Sequence, residues 1–484
     1  MPVNLWLLTN FKKILSRKKK QPLYNVKIDA YAAEGKSIAH LDDGKVLFVE
    51  GAIPGDVVNV RIVKDKKKWA EGKITQLVTP SEKRVIPFCQ HFGLCGGCKW
   101  QMLPYPMQLE YKQQQVEDQL KRIGQIELPA MQPIAGSDAD KYYRNKLEFT
   151  FSKYRYRTTE ELLLAGDDIL PIEPVLGFHA PGLFDKVVEI HTCYLQKEPT
   201  NILLSTLRNY AEANQLPYYD YREHTGWLRN AVIRIATTGE ILINIVLQHE
   251  DKAKREALLD HVLANVPGIT SLNYTINPKM NDSIYDLEVI CYSGKEYIEE
   301  KLEGYTFKIS PKSFFQTNTR QAEVLYKATR DFAGLTGNEV LYDLYCGTGS
   351  IGIFCSAKAK KIIGIEVIGD AIKDAWENAR MNNIENCHYF TGDVIEICTD
   401  AFFTEHGRPD VIITDPPRAG MHEKLINQLL KIRAPKVVYV SCNPATQARD
   451  LQLLDSAYKV TRLQPVDMFP HTHHIENVAL LELR

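Results

Sequence analysis

No apolar run in this chain reaches the roughly 18 residues that a bilayer-crossing helix needs, so a membrane-spanning helix is not expected. The opening MPVNLWLLTNFKKILSRKKK has no small-residue cleavage site and places its basic block after a short apolar stretch. That is the reverse of a secretory signal and predicts a cytoplasmic protein. Cysteine is sparse, ten in 484 residues, and a disulfide framework is not expected in a large cytoplasmic chain. Internal repeats are absent, and beyond the basic start there is no low-complexity tract. Neither sign of charge dominates, with 59 Lys and Arg against 60 Asp and Glu.

What is there is unevenly distributed. Residues 1–84 hold 17 basic and 9 acidic residues, a surplus of eight positive charges, so the remainder is nine negative. An arm or small domain that meets a polyanion, attached to a body that need not, has this asymmetry. A chain of this length implies about two to four domains.

Residues 22–84 read as short strands between turns: Val26, Ile28 and Tyr31 alternate, then KVLFVEG, DVVNVRIV and GKITQLV follow. The spacing predicts a small β-barrel. Lys64, Lys66, Lys67 and Lys68 with Trp69 share one connecting segment, where cations and an aromatic can serve phosphates and bases together. Residues 85–130 combine Cys89, Cys95 and Cys98 with a helical stretch from Met107 that Gly124 stops. Residues 131–310 are rich in strand signals such as LEFTFSKYRYR, AVIRIATTG and ILINIVLQ, predicting a central α+β domain. From 311 to 484 strand, glycine turn and helix alternate in the rhythm of a doubly wound parallel sheet, making the overall class α/β.

The chemistry-bearing motifs fall in that last region. Val340 to Cys346 is a strand run that breaks into Gly347-Thr348-Gly349-Ser350-Ile351-Gly352 and a helix, letting backbone N–H groups approach a ligand. Asp343 precedes the turn, and KIIGIE ends in Glu366, placed to accept bonds from ribose hydroxyls. A dinucleotide enzyme uses the same acidic position, so the later strands must choose the cofactor. VIITDPPRAG sets Asp415 at the end of one apolar run, and VVYVSCNPAT sets Cys442 at the end of the next. A strand cysteine is usually a small hydrophobe. Here Ser441, Asn443 and Pro444 surround it, which points to a nucleophile. Glu476 in FPHTHHIEN is a candidate base, partial burial and nearby imidazoles holding its carboxylate near working pH. Cys89, Cys95 and Cys98, spaced C-x5-C-x2-C, have ligand character, and zinc or an iron–sulfur centre would both accept thiolates. Cys346 and Cys355 read as structural. Tyr142, Tyr143, Arg144 and Lys146, and Trp227, Arg229 and Arg234, pair cations with aromatics as single-stranded RNA contacts do.

SFFQTN at 313–318, DLYCGTG at 343–349, Glu366, DPPRAG at 415–420, SCNP at 441–444 and HTHHIE at 471–476 together resemble the RNA uracil-5-methyltransferases that modify ribosomal RNA and the T-loop of tRNA. GKVLFVEGAIPGD resembles the TRAM barrel, an OB-like RNA-binding module at the front of many members. The resemblance implies S-adenosylmethionine as methyl donor, Cys442 as nucleophile, Glu476 as proton acceptor, and Gln316, Tyr345, Glu366 and Asp415 as cofactor contacts, with Asp393 near the adenine. RNA cytosine-5 enzymes carry a cysteine where this chain has Arg418, favouring uracil. Ser350 and His473 stand where relatives carry other residues. CQHFGLCGGCKWQ resembles the segment that binds a [4Fe–4S] cluster in ribosomal members, with Cys193 in HTCYLQ as the fourth ligand. The expected partner is therefore 23S ribosomal RNA, free or in an assembling large subunit, and the expected state a monomer without a membrane. The same reaction on tRNA, or a non-catalytic RNA-binding protein or chaperone, are the alternatives.

Overall fold

The computed structural model describes residues 22–166, 168 and 170–484. The basic start, residues 1–20, lies outside them. Two compact units emerge: one of the described residues up to Ile86 with Lys99–Pro104, the other of Pro87–Cys98 with Tyr105–Arg484. No helix among the described residues is long and apolar enough to cross a membrane.

The first unit is a six-stranded sheet in the order β1-β5-β6-β4-β3-β2, with β1 Leu23–Lys27, β2 Ala30–Tyr31, β3 Lys36–His40, β4 Val46–Glu50, β5 Val57–Asp65 and β6 Trp69–Thr79. Alternate residues of β3 to β6 turn inward, so Ala39, Leu47, Val49, Val58, Val60 and Ala70 form one core with Ile28 and Ala52. The lysine segment is the β5–β6 turn. Lys66, Lys67 and Lys68 are exposed there, while Lys64 Nζ lies 4.7 Å from the Trp69 ring centre and Phe48 meets the same ring edge-on. Trp69 is thus partly covered by its own neighbours.

The second unit contains two seven-stranded sheets. The central one runs β13-β12-β11-β10-β7-β8-β9, with β7 Lys146–Ser152, β8 Val175–His179, β9 Val187–Glu189, β10 Leu228–Ile235, β11 Ile241–Leu247, β12 Ile269–Ile276 and β13 Ile290–Gly294. β10 and β11 are buried on both faces; β11 reads as a nearly continuous apolar run, whereas β10 also buries Arg229, Asn230 and Arg234, and helices Thr200–Ala213 and Lys252–Asn265 contribute to the same core. A hairpin of β14 Ile298–Leu302 and β15 Tyr305–Ile309 leads on to the last sheet.

That sheet runs β18-β17-β16-β19-β20-β22-β21, built from β16 Val340–Leu344, β17 Lys361–Glu366, β18 Cys387–Thr391, β19 Val411–Thr414, β20 Lys436–Ser441, β21 Tyr458–Val466 and β22 Glu476–Leu483. The strands from β16 to β20 pair in parallel, while β22 enters antiparallel between β20 and β21. Strand order reverses between β16 and β19, and ligands of open α/β sheets bind at such a reversal, beyond the strands' carboxyl ends. The edge strand β21 is sealed by residues 132–135: Gln132 N–H donates to Leu463 O and Ala135 N–H to Pro465 O.

The helix expected from Met107 begins at Tyr105 and runs to Gln119. It ends in a wide π turn through Gly124, after which Gln125 takes the left-handed conformation. The helical stretch thus stops at Gly124, as the glycine suggested. Cys346 and Cys355 are buried in the core of the last sheet, in keeping with a structural role.

Candidate functional site

The ligand-side edge of the last sheet gathers most of the motif residues. β16 ends at Leu344, and Tyr345 then adopts a left-handed backbone with φ 61°, a conformation costly for a residue with a Cβ. Gly349, φ 76°, starts the helix Ser350–Cys355, and an added Cβ there would meet the Tyr389 hydroxyl at 2.6 Å. Only glycine lets that turn close. Glu366 at the end of β17 accepts from Gly347 N–H at 3.3 Å and Ile368 N–H at 3.0 Å, which aims it across the turn. Tyr345, Glu366 and Asp393 line a cleft of about 330 Å³ with Val367, Ile395 and Leu425. Asp393 also caps the short helix that follows it, accepting from Ile395 N–H at 2.8 Å.

Asp343 and Asp415 stand deeper. Asp343 accepts from Gly352 N–H at 2.9 Å through one carboxylate oxygen, while the other is buried with no protein partner. Burial, with Asp415 and Glu366 adding repulsion, pushes its carboxyl up to about 7. Burial alone pushes Asp415 up to about 7. An apolar-sided cleft, an open glycine turn and a buried carboxylate oxygen awaiting a donor suit a cationic nucleoside such as S-adenosylmethionine. Gln316 is half-buried in the segment before the Thr319–Ala333 helix, its carbonyl held by the Asn145 amide at 2.8 Å. Ser350 gains a partner invisible in sequence: its hydroxyl meets the Tyr326 hydroxyl at 3.0 Å. Tyr326 itself lies in the field of Asp415, Asp343 and Glu476, so these groups share one neighbourhood.

Cys442 and Glu476 are brought together by strand register. Ser441, the last residue of β20, pairs with Asn477 of β22; Cys442 follows Ser441 directly and Glu476 precedes Asn477, and the Glu476 charge acts on the Cys442 thiol. Burial drives the Cys442 thiol up to about 11, with Glu476 and Asp415 raising it further and Arg418 opposing them. Burial, then Asp415, holds the Glu476 carboxyl well above its ordinary range, again opposed by Arg418. The loop after β19 is tied to the turn after β20. Asn443 Nδ2 donates to Arg418 O at 3.0 Å and Thr446 Oγ1 to the same oxygen at 3.2 Å, while Asn443 Oδ1 caps the Pro444–Leu454 helix through Ala445 N–H. Gly420 packs so closely that a Cβ would sit 2.6 Å from Asp450 Oδ2.

The histidines ahead of Glu476 divide. His471 is buried and bonded to Gln108, whereas His473 and His474 are half-buried with ring centres 4.3 Å apart. Burial and the neighbouring cations push His474 down to about 3, so it is neutral at working pH.

Three expectations are changed by the structure. Arg229, Arg234 and Trp227 were candidate RNA contacts, but all are buried. The Arg229 guanidinium is consumed by the carbonyls of Asn277, Lys279 and Asn281, the Gln248 amide and Asp282, and it braces a loop instead of meeting solvent. Arg234 donates to Ser313 O at 2.6 Å and so holds the segment that carries Gln316. Of the other group, Tyr143 is buried with its hydroxyl on Pro470 O, Arg144 stacks 5.1 Å over Phe469, and only Tyr142 is exposed. The third change concerns the cysteines. Cys89, Cys95 and Cys98 lie in one loop and Cys193 is buried near it, close enough that Cys98, Cys193 and Cys89 each repel charge on Cys95. Burial pushes Cys95 up to about 12 and Cys193 up to about 11, and Gly97 N–H donates to Cys95 Sγ at 3.3 Å. Among the described residues, however, no group of three or more His, Cys, Asp or Glu side chains is spaced to hold a metal ion. The donor chemistry suits a thiolate-bound centre, and the spacing does not display one.

Comparison with known proteins agrees with this geometry. Residues 22–75 match the TRAM domain, and residues 287–484 match the tRNA (Uracil-5-)-methyltransferase family. An uncharacterized RNA methyltransferase of Bacteroides thetaiotaomicron is 51% identical over 456 residues, covering 94% of this chain and all of that one. One from Porphyromonas gingivalis is 50% identical over 94% of this chain and 99% of its own. Among solved structures, the Pyrococcus abyssi tRNA (uracil-54, C5)-methyltransferase in complex with S-adenosyl-L-homocysteine superposes with a TM-score of 0.73 at 28% identity, over 95% of this chain and 100% of the other. Sequence identity along nearly the whole length, the strand order and the two matched domains agree: the chain belongs to the RNA uracil-5-methyltransferase family.

Proposed function

We propose that this protein methylates carbon 5 of a uridine in 23S ribosomal RNA, taking the methyl group from S-adenosylmethionine. The observation that supports it most directly is the β20–β22 register, whose last pair, Ser441 with Asn477, adjoins Cys442 and Glu476, in a sheet whose β16 and β17 ends carry a nucleoside-sized cleft at Tyr345 and Glu366. Carbon 5 of uracil is a poor nucleophile. Cys442 Sγ, as thiolate, adds to carbon 6 and makes carbon 5 enolate-like. S-adenosylmethionine, when bound, supplies an electrophilic methyl group, whose bond to sulfur breaks as carbon 5 takes it and leaves the electron pair on the neutral thioether. Glu476 then takes the proton from carbon 5, the electron pair closes the 5,6 double bond, and the Cys442 thiolate leaves. Tyr345 and Glu366 hold the nucleoside part of the donor in the cleft, Asp393 lies near its adenine, and Gln316, Asp343 and Asp415 face its charged end. The uridine must be turned out of its stack to reach the thiol.

The four cysteines favour ribosomal RNA as substrate, because in this family the motif they resemble accompanies ribosomal members. They are assigned here to a [4Fe–4S] cluster that braces the fold or the RNA surface and takes no part in methyl transfer. The structural neighbour, named as acting on uracil-54 of tRNA, favours a second reading in which the T-loop uridine is the target. Incubation of unmodified 23S rRNA and tRNA with labelled methyl donor separates them. Label in ribosomal RNA is expected; label confined to tRNA overturns that choice, and label in neither removes the enzymatic reading. Anaerobic purification should yield a brown protein containing iron and sulfide, whereas stoichiometric zinc without iron refutes the cluster.

A further inference from the structure

The nucleophile and the base are anchored by different parts of the fold. Cys442 is held by the turn after β20 and its bonds to the Arg418 loop. Glu476 opens β22, paired there with Val466 of β21, and the chain enters it through the loop from Asp467 to Ile475, which joins β21 to β22. One face of the Tyr105–Gln119 helix grips that loop. Tyr105, Gln108 and Lys112, spaced three and four residues apart, share this face. Lys112 Nζ bonds Asp467 Oδ1 at 2.5 Å and Phe469 O at 3.0 Å, and both charged side chains are wholly buried. Tyr105 donates to the other Asp467 oxygen at 2.8 Å. Gln108 accepts from His471 N–H at 2.8 Å and meets His471 Nδ1 at 3.1 Å, which lets a left-handed His471 persist. Asn318, Gln321 and Tyr143 bind the carbonyls of Met468, Asp467 and Pro470.

A buried ion pair contributes little net stability compared with apolar side chains of similar volume, yet removing one member leaves an uncompensated charge. Its use here is geometric. We propose that Lys112 is a positioning residue for Glu476: through Asp467 and Phe469 it holds the loop that leads into β22, and therefore tunes where the carboxyl meets the proton on carbon 5, without acting on Cys442. The inference rests on Glu476 being the base. Small displacements of a reacting group cost up to about a hundredfold in rate. Loss of Lys112 therefore slows proton removal selectively.

The test uses full-length protein and whichever unmodified transcript, 23S rRNA or tRNA, takes label. Lys112→Met should form the methylated protein–RNA adduct within about twofold of the wild-type rate and release it at least about tenfold more slowly. Deuterium at carbon 5 should then slow its turnover by a ratio larger than in the wild type. In a Glu476→Gln background the same change should add nothing. Tyr105→Phe, which deletes a single hydroxyl, should show the same pattern more weakly and decides the question if the Lys112 variant does not fold. Equal slowing of adduct formation and release, or unchanged release, overturns the proposal. If Glu476→Gln itself releases product cleanly, it is the assignment of the base that fails, a result independent of the Lys112 variants.

Discussion

Cys442 presents a chemical conflict that defines its environment. A nucleophilic thiol should ionise easily, yet burial and two carboxyls hold this one up at about 11, leaving Arg418 as the group that opposes them. Adduct formation should accordingly climb with pH through neutrality, about tenfold per unit while the thiolate is scarce. Replacing Arg418 with Gln should displace that profile to higher pH. Both are measured as the rate of covalent trapping by 5-fluorouridine RNA, and a profile flat between pH 7 and 9, chosen to lie roughly two units below the thiol, contradicts them. Cys442→Ala should abolish turnover and trapping alike; a surviving adduct would remove Cys442 from its role. Glu476→Gln should still transfer the methyl group but stall as a protein–RNA adduct, since the proton on carbon 5 must leave before the sulfur can. Denaturing gels with labelled methyl donor distinguish stalling from inactivity.

The strand ends decide which side chains meet. β20 pairs with β22 along its own whole length, and a one-residue slip would turn Glu476 to the opposite face of the sheet. The turn after β20 is stabilised locally: Asn443 caps a helix with its oxygen and holds the Arg418 carbonyl with its nitrogen. Asn443→Ala should therefore cost about 1 kcal/mol of stability, read by denaturant unfolding. It should also slow adduct formation, because the Arg418 loop is released; unchanged adduct kinetics would show that the loop is held by other bonds. Element boundaries also explain where motif reading went astray. Arg229 and Arg234 sit in an AVIRI-type strand that looks half-exposed in sequence, but β10 is a central strand covered on both faces. Backbone carbonyls of distant loops, which leave no trace in a sequence pattern, are their partners.

Charge is apportioned by unit. Within the first, the β5–β6 turn offers Lys64, Lys66, Lys67 and Lys68 beside a partly covered Trp69, an arrangement for phosphates more than for stacking. Changing all four lysines to Ala should weaken RNA binding and flatten its salt dependence by up to about 0.7 in log–log slope for each phosphate left without its cation. Donor affinity should be unaffected. Titration of RNA binding against salt checks this, and an unaltered slope would exclude the turn from the interface. Much was legible beforehand because local physics carries it: the glycine turn, the apolar strands of the last sheet and the motif residues at their ends depend on neighbours a few positions away. Cys442, Glu476, Asp415 and Glu366 could thus be named from sequence, along with an α/β fold carrying a small barrel in front. The tertiary structure alone decided that the strand ends carrying Cys442 and Glu476 adjoin, that Arg229 and Arg234 are scaffold, and that Lys112 on a helix more than 350 residues away grips the loop before Glu476. Those outcomes depend on register and on buried polar partners brought together by folding, and such partners are chosen by three-dimensional proximity, which spacing along a chain does not encode.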